Sequence, residues 1–273
     1  MTAGGVGVLV RWSRVRRHLT QLELAADAGI SARHLSFIET GRAQPSRRVL
    51  LVLAEVLGVP LRSRNTLLLA AGYAPVYPET SLSAAALAPV RTALERLVAL
   101  QDPYPAFLLD RRWDILLANH GATALLAGLP SELLRPPMNA LRLALHPDGL
   151  AGRSPNAADW SPHLLLRLRQ QVETTGDPAL ATLLEEVRQY VAMLPANRVD
   201  PRLQASMAVI RLSVEGGEVA LFTVLATLAT PTDVTAAELG VELFYPADDQ
   251  TARYLERGKR ARENDTRVDE HRA

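Results

Sequence analysis

Residues 21–38 read QLELAADAGISARHLSFI, and they predict the fold of the N-terminal part of the chain. Its spacing is typical of a helix-turn-helix, in which two short helices cross closely around a sharp turn. Ala25 is small enough for a close crossing, and Gly29 is expected to take the positive φ that the turn requires. A capping box at residues 20–23 predicts the start of the first helix, and Ser31 is placed to cap the second. An ordinary αα-hairpin in a helical bundle is the alternative.

The second helix of this motif, predicted from Ala32 to about Thr40, carries the candidate base contacts. Outward residues near the start of a recognition helix reach base edges in the major groove. Arg33 is the best candidate for reading a guanine, because the planar guanidinium can bond two acceptors at once. Residues that flank the two helices are candidates for phosphate contacts, and a solvated surface charge is the alternative for any single arginine. The candidate DNA-binding residues are Arg17, Gln21, Ser31, Ala32, Arg33, His34, Ser36, Arg42 and Gln44.

Charge is divided unevenly along the chain. Up to residue 74 there are ten arginines and four acidic residues, a net charge of +6, whereas the remainder holds 20 basic and 25 acidic groups, a net charge of −5. A basic head on a mildly acidic body is typical of a polyanion-binding module joined to a domain with another task. The charge and the helix-turn-helix spacing together predict double-stranded DNA as a partner. Chance clustering is the alternative for the charge by itself.

Composition excludes several classes of protein. The chain has 273 residues, enough for two domains, and no cysteine, which rules out disulfides, zinc–thiolate sites and cysteine nucleophiles. None of the six histidines has metal-ligand spacing, and no P-loop, GxGxxG or GxSxG motif occurs, so we expect no catalytic site, metal or cofactor. No apolar run approaches the ~20 residues that span a bilayer. We therefore expect a cytoplasmic protein that has no membrane partner and is not an enzyme.

The second half of the chain is predicted to mix strands and helices. Residues 106–119, AFLLDRRWDILLAN, alternate apolar side chains around a polar turn, and residues 206–230 repeat that pattern around two glycines. Both segments predict β-hairpins. Helices are predicted to begin at Ser161 and Asp177, each a capping residue followed by proline.

Six segments carry a resemblance to a known family. LTQLELAADAGISARHLSFIETGRAQPSRRVLLVLAEVLGVP resembles the five-helix DNA-binding domain of the lambda-repressor-like, or xenobiotic-response-element, family. ISARHLSFIETGRAQPS followed by LRSRNTLLLAAGYAPVY is closer still to the MmyB-like transcription regulators. RRWDILLAN, NALRLALHPDGL, the region around Trp160 and TPTDVTAAELGVELFYPAD are similar to the C-terminal domain of that group.

The resemblance implies an α+β protein, with a five-helix helix-turn-helix domain followed by a PAS-like antiparallel sheet domain with helices. In this family the second domain is thought to sense a small apolar ligand, with fatty acids as the suggested class. We accordingly expect a helix-turn-helix DNA-binding domain at residues 1–74, a linker and connecting helix at 75–102, and a PAS-like ligand-sensing domain at 103–258. A charged tail is expected at 259–273.

Both faces of the first predicted hairpin are apolar, and a sheet covered on one side only would leave one face in water. Further burial is needed, by a helix, a partner subunit or a ligand. We expect a mostly apolar cavity between the sheet and the helices after it, although a plain packed core is the alternative. The candidate lining residues are Phe107, Leu109, Trp113, Ile115 and Leu117, or the face with Leu108 and Leu116 if the register is reversed.

A basic or amide group at the mouth of such a cavity would hold a ligand carboxylate. The candidates are Asn119, Arg142 and His146, and for each of them a surface charge or a structural hydrogen bond is the alternative. Helix-turn-helix heads usually bind paired half-sites, so we also expect a homodimer, joined through the second domain or the helix at residues 87–98. The competing hypothesis for the second domain is a protein-interaction or dimerisation module without a metabolite ligand.

Overall fold

The structure is a computed structural model that describes residues 4–195 and 208–270. The chain divides into two compact units. One unit combines Met1–Ser81 with Thr230–Ala237, and the other combines Leu82–Ala229 with Glu238–Ala273. A short stretch from the second half of the sequence therefore belongs to the N-terminal unit. The boundaries expected from the sequence alone stay predictions.

The N-terminal unit begins with five helices, as expected. They are α1 (Gly4–Arg16), α2 (Gln21–Asp27), α3 (Ala32–Glu39), α4 (Arg47–Val56) and α5 (Leu61–Ala70). The capping box is confirmed, because the Thr20 side chain accepts from the Glu23 amide while Glu23 accepts from the Thr20 amide. Gly29 has a φ of 65°, and Ser31 caps α3 by accepting from the His34 amide. Apolar residues from all five helices form one core.

The close approach of α1 to α3 depends on a glycine that the sequence reading did not single out. A Cβ at Gly7 would overlap the carbonyl oxygen of Ile38 at the end of α3. On either side of this contact, Val6 and Val10 are buried against the shared core. Any larger residue at position 7 would push the two helices apart.

The second unit contains a five-stranded antiparallel sheet. Its strands are β1 (Ala106–Leu109), β2 (Ile115–Ala118), β3 (Ile210–Val214), β4 (Gly217–Thr227) and β5 (Gly240–Pro246), in the order β2-β1-β5-β4-β3. Both predicted hairpins are confirmed, with Gly216 at a φ of 84° in the second turn. Residues 206–207 of that prediction lie outside the described residues. The strand β5, which pairs with both hairpins, was not predicted.

Helices cover the two faces of this sheet. They are α6 (Ala88–Leu100), α7 (His120–Leu126), α8 (Ala140–Leu145), α9 (Ala157–Thr175), α10 (Pro178–Met193) and α12 (Asp249–Glu270). On one face α6 packs over β1 and β5. On the other face α7 to α10 enclose a larger core with Phe107 and Phe244. Among the described residues, no helix has the length and apolar character needed to cross a membrane.

Two local predictions were wrong. α9 starts at Ala157, so Pro162 lies inside the helix and Ser161 is buried with no hydrogen-bond partner for its hydroxyl. The five predicted lining residues from Phe107 to Leu117 do not all lie on one face of the sheet. The reason is an irregularity at which the β1–β2 register shifts by one residue. Leu117 therefore packs with the α6 side of the sheet, whereas Ile115 packs with the opposite core.

The segment Thr230–Ala237, between β4 and β5, is the part of the second half that belongs to the N-terminal unit. It contains the short helix α11 (Val234–Ala237), which packs against α5. The Val234 amide donates to the Pro78 carbonyl at 2.8 Å, and the Thr80 amide donates to the Asp233 carboxylate at 3.1 Å. Asp233 also accepts from the Ala236 amide, so its carboxylate holds the segment and the linker together. We call residues 230–237 the clasp segment.

Candidate functional site

The two-helix motif presents its second helix to solvent. Leu35 and Ile38 are fully buried, whereas Arg33 on the opposite face of α3 is exposed. Ala32 and Ser36 are four residues apart and therefore neighbours on the surface of α3, beside Arg33, and both are half-buried. The first turn of α3 therefore offers an arginine on a surface of small side chains, which is the shape that enters a major groove.

Two of the arginines near this helix are held by packing. The Arg33 guanidinium lies 5.3 Å from the ring centre of Phe37. Arg17 is exposed after the end of α1, and its guanidinium rests against Gly58. Arg42 is exposed in the loop that follows α3. Packing restricts the Arg33 and Arg17 side chains, and all three arginines lie exposed where they can meet phosphate or base oxygens.

Two predicted contact residues are engaged inside the protein. The Gln21 amide donates to Glu39 at 2.7 Å, and the Gln44 amide donates to the Ala71 carbonyl at 2.9 Å. Ser31 is exposed but caps α3, and His34 is half-buried on that helix. Gln21 and Gln44 thus position the helices, and a phosphate contact from either side chain would compete with these bonds.

The sequence reading missed the ion pair that holds the motif together. Arg14 of α1 makes two hydrogen bonds to Glu39 at the end of α3, of 2.6 and 2.9 Å, and both side chains are almost fully buried. Burial opposes ionisation of Glu39, but the bonds from Arg14 and Gln21 and the charge of Arg14 outweigh it, so the pKa of Glu39 is below its usual range. One carboxylate therefore ties α1, α2 and α3 together.

In the second unit, an apolar cavity of about 60 Å³ lies between the sheet and helices α7 to α9. Its walls come from both hairpins, from β5 and from these helices. The main lining side chains are Phe107, Trp113, Ile115, Leu126, Leu141, Leu143, Leu150, Trp160, Leu164, Ile210, Leu212, Thr223, Glu242 and Phe244. Almost every surface offered to a guest is hydrocarbon, and Glu242 is the one ionisable lining side chain among the residues that the structure describes.

The predicted lining residues reach this cavity in part. Phe107, Trp113 and Ile115 line it. Leu109 is buried in the same core without facing the cavity, and Leu117 lies on the other face of the sheet. Leu116 is 45% exposed, so the reversed-register alternative is not what the structure has.

The three predicted carboxylate-binding residues lie away from the cavity walls. Asn119 caps α7, and its side-chain amide makes four hydrogen bonds to backbone groups between Val98 and Ala122. With both amide donors and its oxygen used in this way, it has little capacity left for a ligand. Its role in the structure is to join α6, β1 and α7.

Arg142 and His146 belong to a polar cluster on α8 and α10. Arg142 makes two bonds of 2.7 Å to Glu186, and Tyr190 donates to the same carboxylate. The His146 ring packs edge-on against Tyr190, with 4.7 Å between ring centres. Burial, and then the bond to Glu186, raise the pKa of Tyr190 to about 12. These contacts hold α8 to α10 and leave no free cation in the cavity from this cluster.

A different polar pair has one member, Glu242, in the cavity wall. Glu242 of β5 is buried, and its carboxylate lies 3.6 Å from the Nη1 atom of Arg167 on α9. The Arg167 guanidinium lies over the Trp113 ring, 4.3 Å from its centre, and its side chain is 35% exposed. Burial raises the pKa of Glu242, and the charge of Arg167 only partly offsets this. The Glu242 carboxyl group, whose cationic partner Arg167 lies beyond normal hydrogen-bond distance, thus faces an apolar cavity.

Trp113 is held rigidly in an unusual backbone conformation. Its φ of 69° is rare for a non-glycine residue, and its carbonyl accepts from the Ala140 amide. The indole nitrogen donates to Gln171 of α9 at 2.7 Å. These anchors outweigh the local backbone strain and fix the ring between the cavity and Arg167.

β5 brings the residues that sequence reasoning overlooked. Glu242 and Phe244 lie on the cavity side of this strand, and Val241 and Leu243 lie on the α6 side. The signal was available, since GVELFYP is a short apolar run bounded by glycine and proline. What hid it was the acidic residue in the middle, which reads as surface in a sequence.

Comparison with known families fits this arrangement. The model described as MmyB-like transcription regulator ligand binding domain matches residues 90–257, and the model described as helix-turn-helix matches residues 10–63. The first match spans more than half of the chain and contains every cavity-lining residue. The second contains α2 and α3. No curated protein matches the chain.

Proposed function

Because the chain belongs to the family of MmyB-like transcription regulators, with a helix-turn-helix ahead of a ligand-binding domain, we propose that it controls transcription in response to a fatty-acid-like ligand. It binds double-stranded DNA as a homodimer through α3, and the apolar cavity of the PAS-like second domain receives the acyl chain. The observation that carries the ligand proposal is this cavity, whose walls are almost wholly hydrocarbon. The protein works in the cytoplasm and is not an enzyme.

DNA recognition is supported by the exposed first turn of α3. Arg33 reads a base, with Ser31, Ala32, His34 and Ser36 beside it, while Arg17 and Arg42 meet phosphates on either side. Gln21 and Gln44 contribute by holding the helices in register.

The size of the cavity decides how a ligand must enter. Ligand sites typically enclose ~300 Å³ or more, whereas this cavity has about 60 Å³. A long acyl chain therefore fits only if the walls move apart, which costs packing contacts. Each buried methylene contributes about 0.8 kcal/mol, so ten or more methylenes can offset that cost. A ligand that must move the walls in order to bind is suited to act as a signal.

The clasp segment offers a route from the cavity to the DNA-binding head. β5, which lines the cavity through Glu242 and Phe244, begins three residues after the clasp segment ends. The clasp segment itself is bonded to Pro78 and Thr80 within the N-terminal unit. A displacement of β5 by a ligand is therefore passed along a few residues of chain.

The test is calorimetric titration of delipidated full-length protein with decanoate, with and without operator DNA selected from random sequence. We expect binding, with an affinity that differs between the free and DNA-bound protein. Native mass spectrometry of protein purified gently from cells adds an independent readout. A clean mass without a retained apolar molecule, together with no heat from decanoate, would favour the interaction-module hypothesis for the second domain.

A further inference from the structure

Glu242, with Arg167 as its partner, is the part of the cavity wall that the proposed ligand class leaves unexplained. A store for hydrocarbon needs no buried carboxyl group, and replacing it by an apolar residue would remove a desolvation cost. Yet Glu242 is 7% exposed, on a strand whose neighbours bring Phe107 and Leu225 opposite it. The pair therefore offers polar chemistry that a hydrocarbon chain does not use.

The charged surroundings of Glu242 are simple. Its partner strands β1 and β4 place apolar residues opposite it, and the lining helices α7 and α8 add apolar residues. α9 contributes Arg167, the one charged group that acts on Glu242 among the described residues. At 3.6 Å the two are close enough to attract each other but too far apart for a normal hydrogen bond.

Among the described residues, Arg167 therefore keeps N–H donors that form no hydrogen bond with Glu242. Its guanidinium is fixed over Trp113, and Glu242 rather than Arg167 itself lines the cavity. A guanidinium offers five N–H donors in a planar fork that matches a carboxylate. A ligand carboxylate arriving here would meet the negative charge of Glu242 as well as the positive charge of Arg167. Two carboxylates on one cation in an apolar setting are strongly disfavoured unless one of them is protonated.

We infer that a ligand carboxylate takes the place of Glu242 on Arg167, and that Glu242 takes up one proton from solvent as it does so. The protonated carboxyl of Glu242 then donates a hydrogen bond to the ligand, whose charge is balanced by Arg167. Glu242 thus selects an amphiphile with an oxygen-acceptor headgroup and makes its binding consume a proton. This inference rests on the proposed function and specifies the headgroup end of the same site.

Burial already favours the neutral form of Glu242, because it raises the pKa of this carboxyl above its ordinary value. A ligand carboxylate beside it raises that pKa further. Consider a pH between the pKa of Glu242 in the free protein and its pKa in the complex. In this interval the affinity for the ligand carboxylate falls about tenfold for each unit by which the pH rises. Below both values Glu242 already holds its proton and affinity no longer depends on it.

The experiment is calorimetric titration of the full-length protein with decanoate between pH 6 and 9, in two buffers with different ionisation enthalpies. The difference in heat counts the protons taken up. We expect uptake approaching one proton per decanoate in the upper part of this range, and an affinity that falls as pH rises. Glu242→Gln keeps the volume of the side chain and a hydrogen-bond donor. This variant is expected to bind decanoate without proton uptake, and its affinity for decanoate should change by less than twofold across the pH range.

The matched control is Glu218→Gln, which removes an exposed carboxylate of β4 outside the cavity and should behave as the wild type. Decanol is the neutral probe and should bind with no proton uptake. Decanoate binding without proton uptake would overturn the inference and leave the proposed function intact, as would binding of decanol alone. If neither probe binds, the proposed ligand class fails, and this inference fails with it. The proton count on the wild type stands even if the variant does not fold.

Discussion

Two buried glutamates in this protein show how hydrogen-bond partners decide ionisation. Glu39 receives two bonds from Arg14 and one from Gln21, and its pKa is lowered despite burial. Glu242 has Arg167 at 3.6 Å, and its pKa is raised. Both residues have a cation nearby, so charge by itself does not separate them. Two things differ: burial removes more of the hydration of Glu242, and only Glu39 receives well-formed donors that replace water.

Loss of the Glu39 carboxylate should destabilise the N-terminal unit. Glu39→Gln leaves Arg14 buried without a counter-ion, and breaking such a pair costs about 3–5 kcal/mol. Urea unfolding followed by circular dichroism measures the change. The double variant Arg14→Met with Glu39→Leu should lose less stability than Glu39→Gln. Equal losses would contradict the explanation.

The same carboxylate makes the N-terminal unit sensitive to acid. Since the folded pKa of Glu39 lies below its unfolded value of about 4.3, its contribution is complete above that value and disappears as pH falls through the folded pKa. We expect the urea midpoint to drop below about pH 4.5 in the wild type. In Glu39→Gln this drop should be smaller, and parallel curves for the two proteins would argue against it.

Arg33 and Arg42 should differ in the kind of binding energy they supply. Arg33→Ala is expected to cost about 1–3 kcal/mol on the selected operator and to relax the preference at one base pair. Arg42→Ala should weaken all sequences about equally and reduce the salt dependence by roughly one phosphate contact. Fluorescence anisotropy at several salt concentrations, on operator and scrambled DNA, separates the two. An unchanged specificity in Arg33→Ala would reject it as a base contact.

Among the helices, strands and turns, the sequence predicts those whose defining contacts join residues close together in the chain. The capping box, the turn at Gly29 and the two hairpins are of this kind. α9 differs, because its start at Ala157 is set by packing of Trp160 and Ala157 in the core rather than by the capping signal at Ser161.

The candidate sites divide along the same line. The exposed face of α3 follows from helical spacing, which a sequence contains. The cavity depends on β5 lying between β1 and β4, and the pairing of β5 with β1 joins residues more than 100 positions apart along the chain. Arg142 was a reasonable choice for a carboxylate, but only the fold reveals that Glu186 already occupies it.

The clasp segment should be required for coupling and not for ligand binding. Asp233→Ala removes the acceptor for the Thr80 and Ala236 amides. We expect the decanoate affinity to stay within about twofold of the wild type, while the effect of decanoate on DNA affinity shrinks. Anisotropy titrations with and without decanoate measure this. Asp249→Ala, at an exposed residue in the first turn of α12, is the control, and an undiminished ligand effect in Asp233→Ala would exclude this route.

At the scale of the whole molecule, DNA recognition by one α3 helix buries too little surface for high specificity, so we expect two copies on paired half-sites. Sedimentation of the full chain at micromolar concentration should give the mass of a dimer. Leu100, which is 85% exposed at the end of α6, is a candidate dimer contact, and Leu100→Arg should shift the equilibrium toward monomer. A wild type that sediments as a monomer at this concentration would contradict the expectation.

The clasp segment also bears on how such regulators can be recombined. A DNA-binding domain and a sensor domain are commonly treated as independent parts, each of which can be exchanged by joining genes at the linker. Here the head is completed by residues encoded after most of the sensor, so a cut after residue 81 leaves the Pro78 carbonyl and the Thr80 amide without Val234 and Asp233. An exchange that preserves the head must carry the clasp segment with it. Residues 1–81 are thus an incomplete unit when they are separated from residues 230–237.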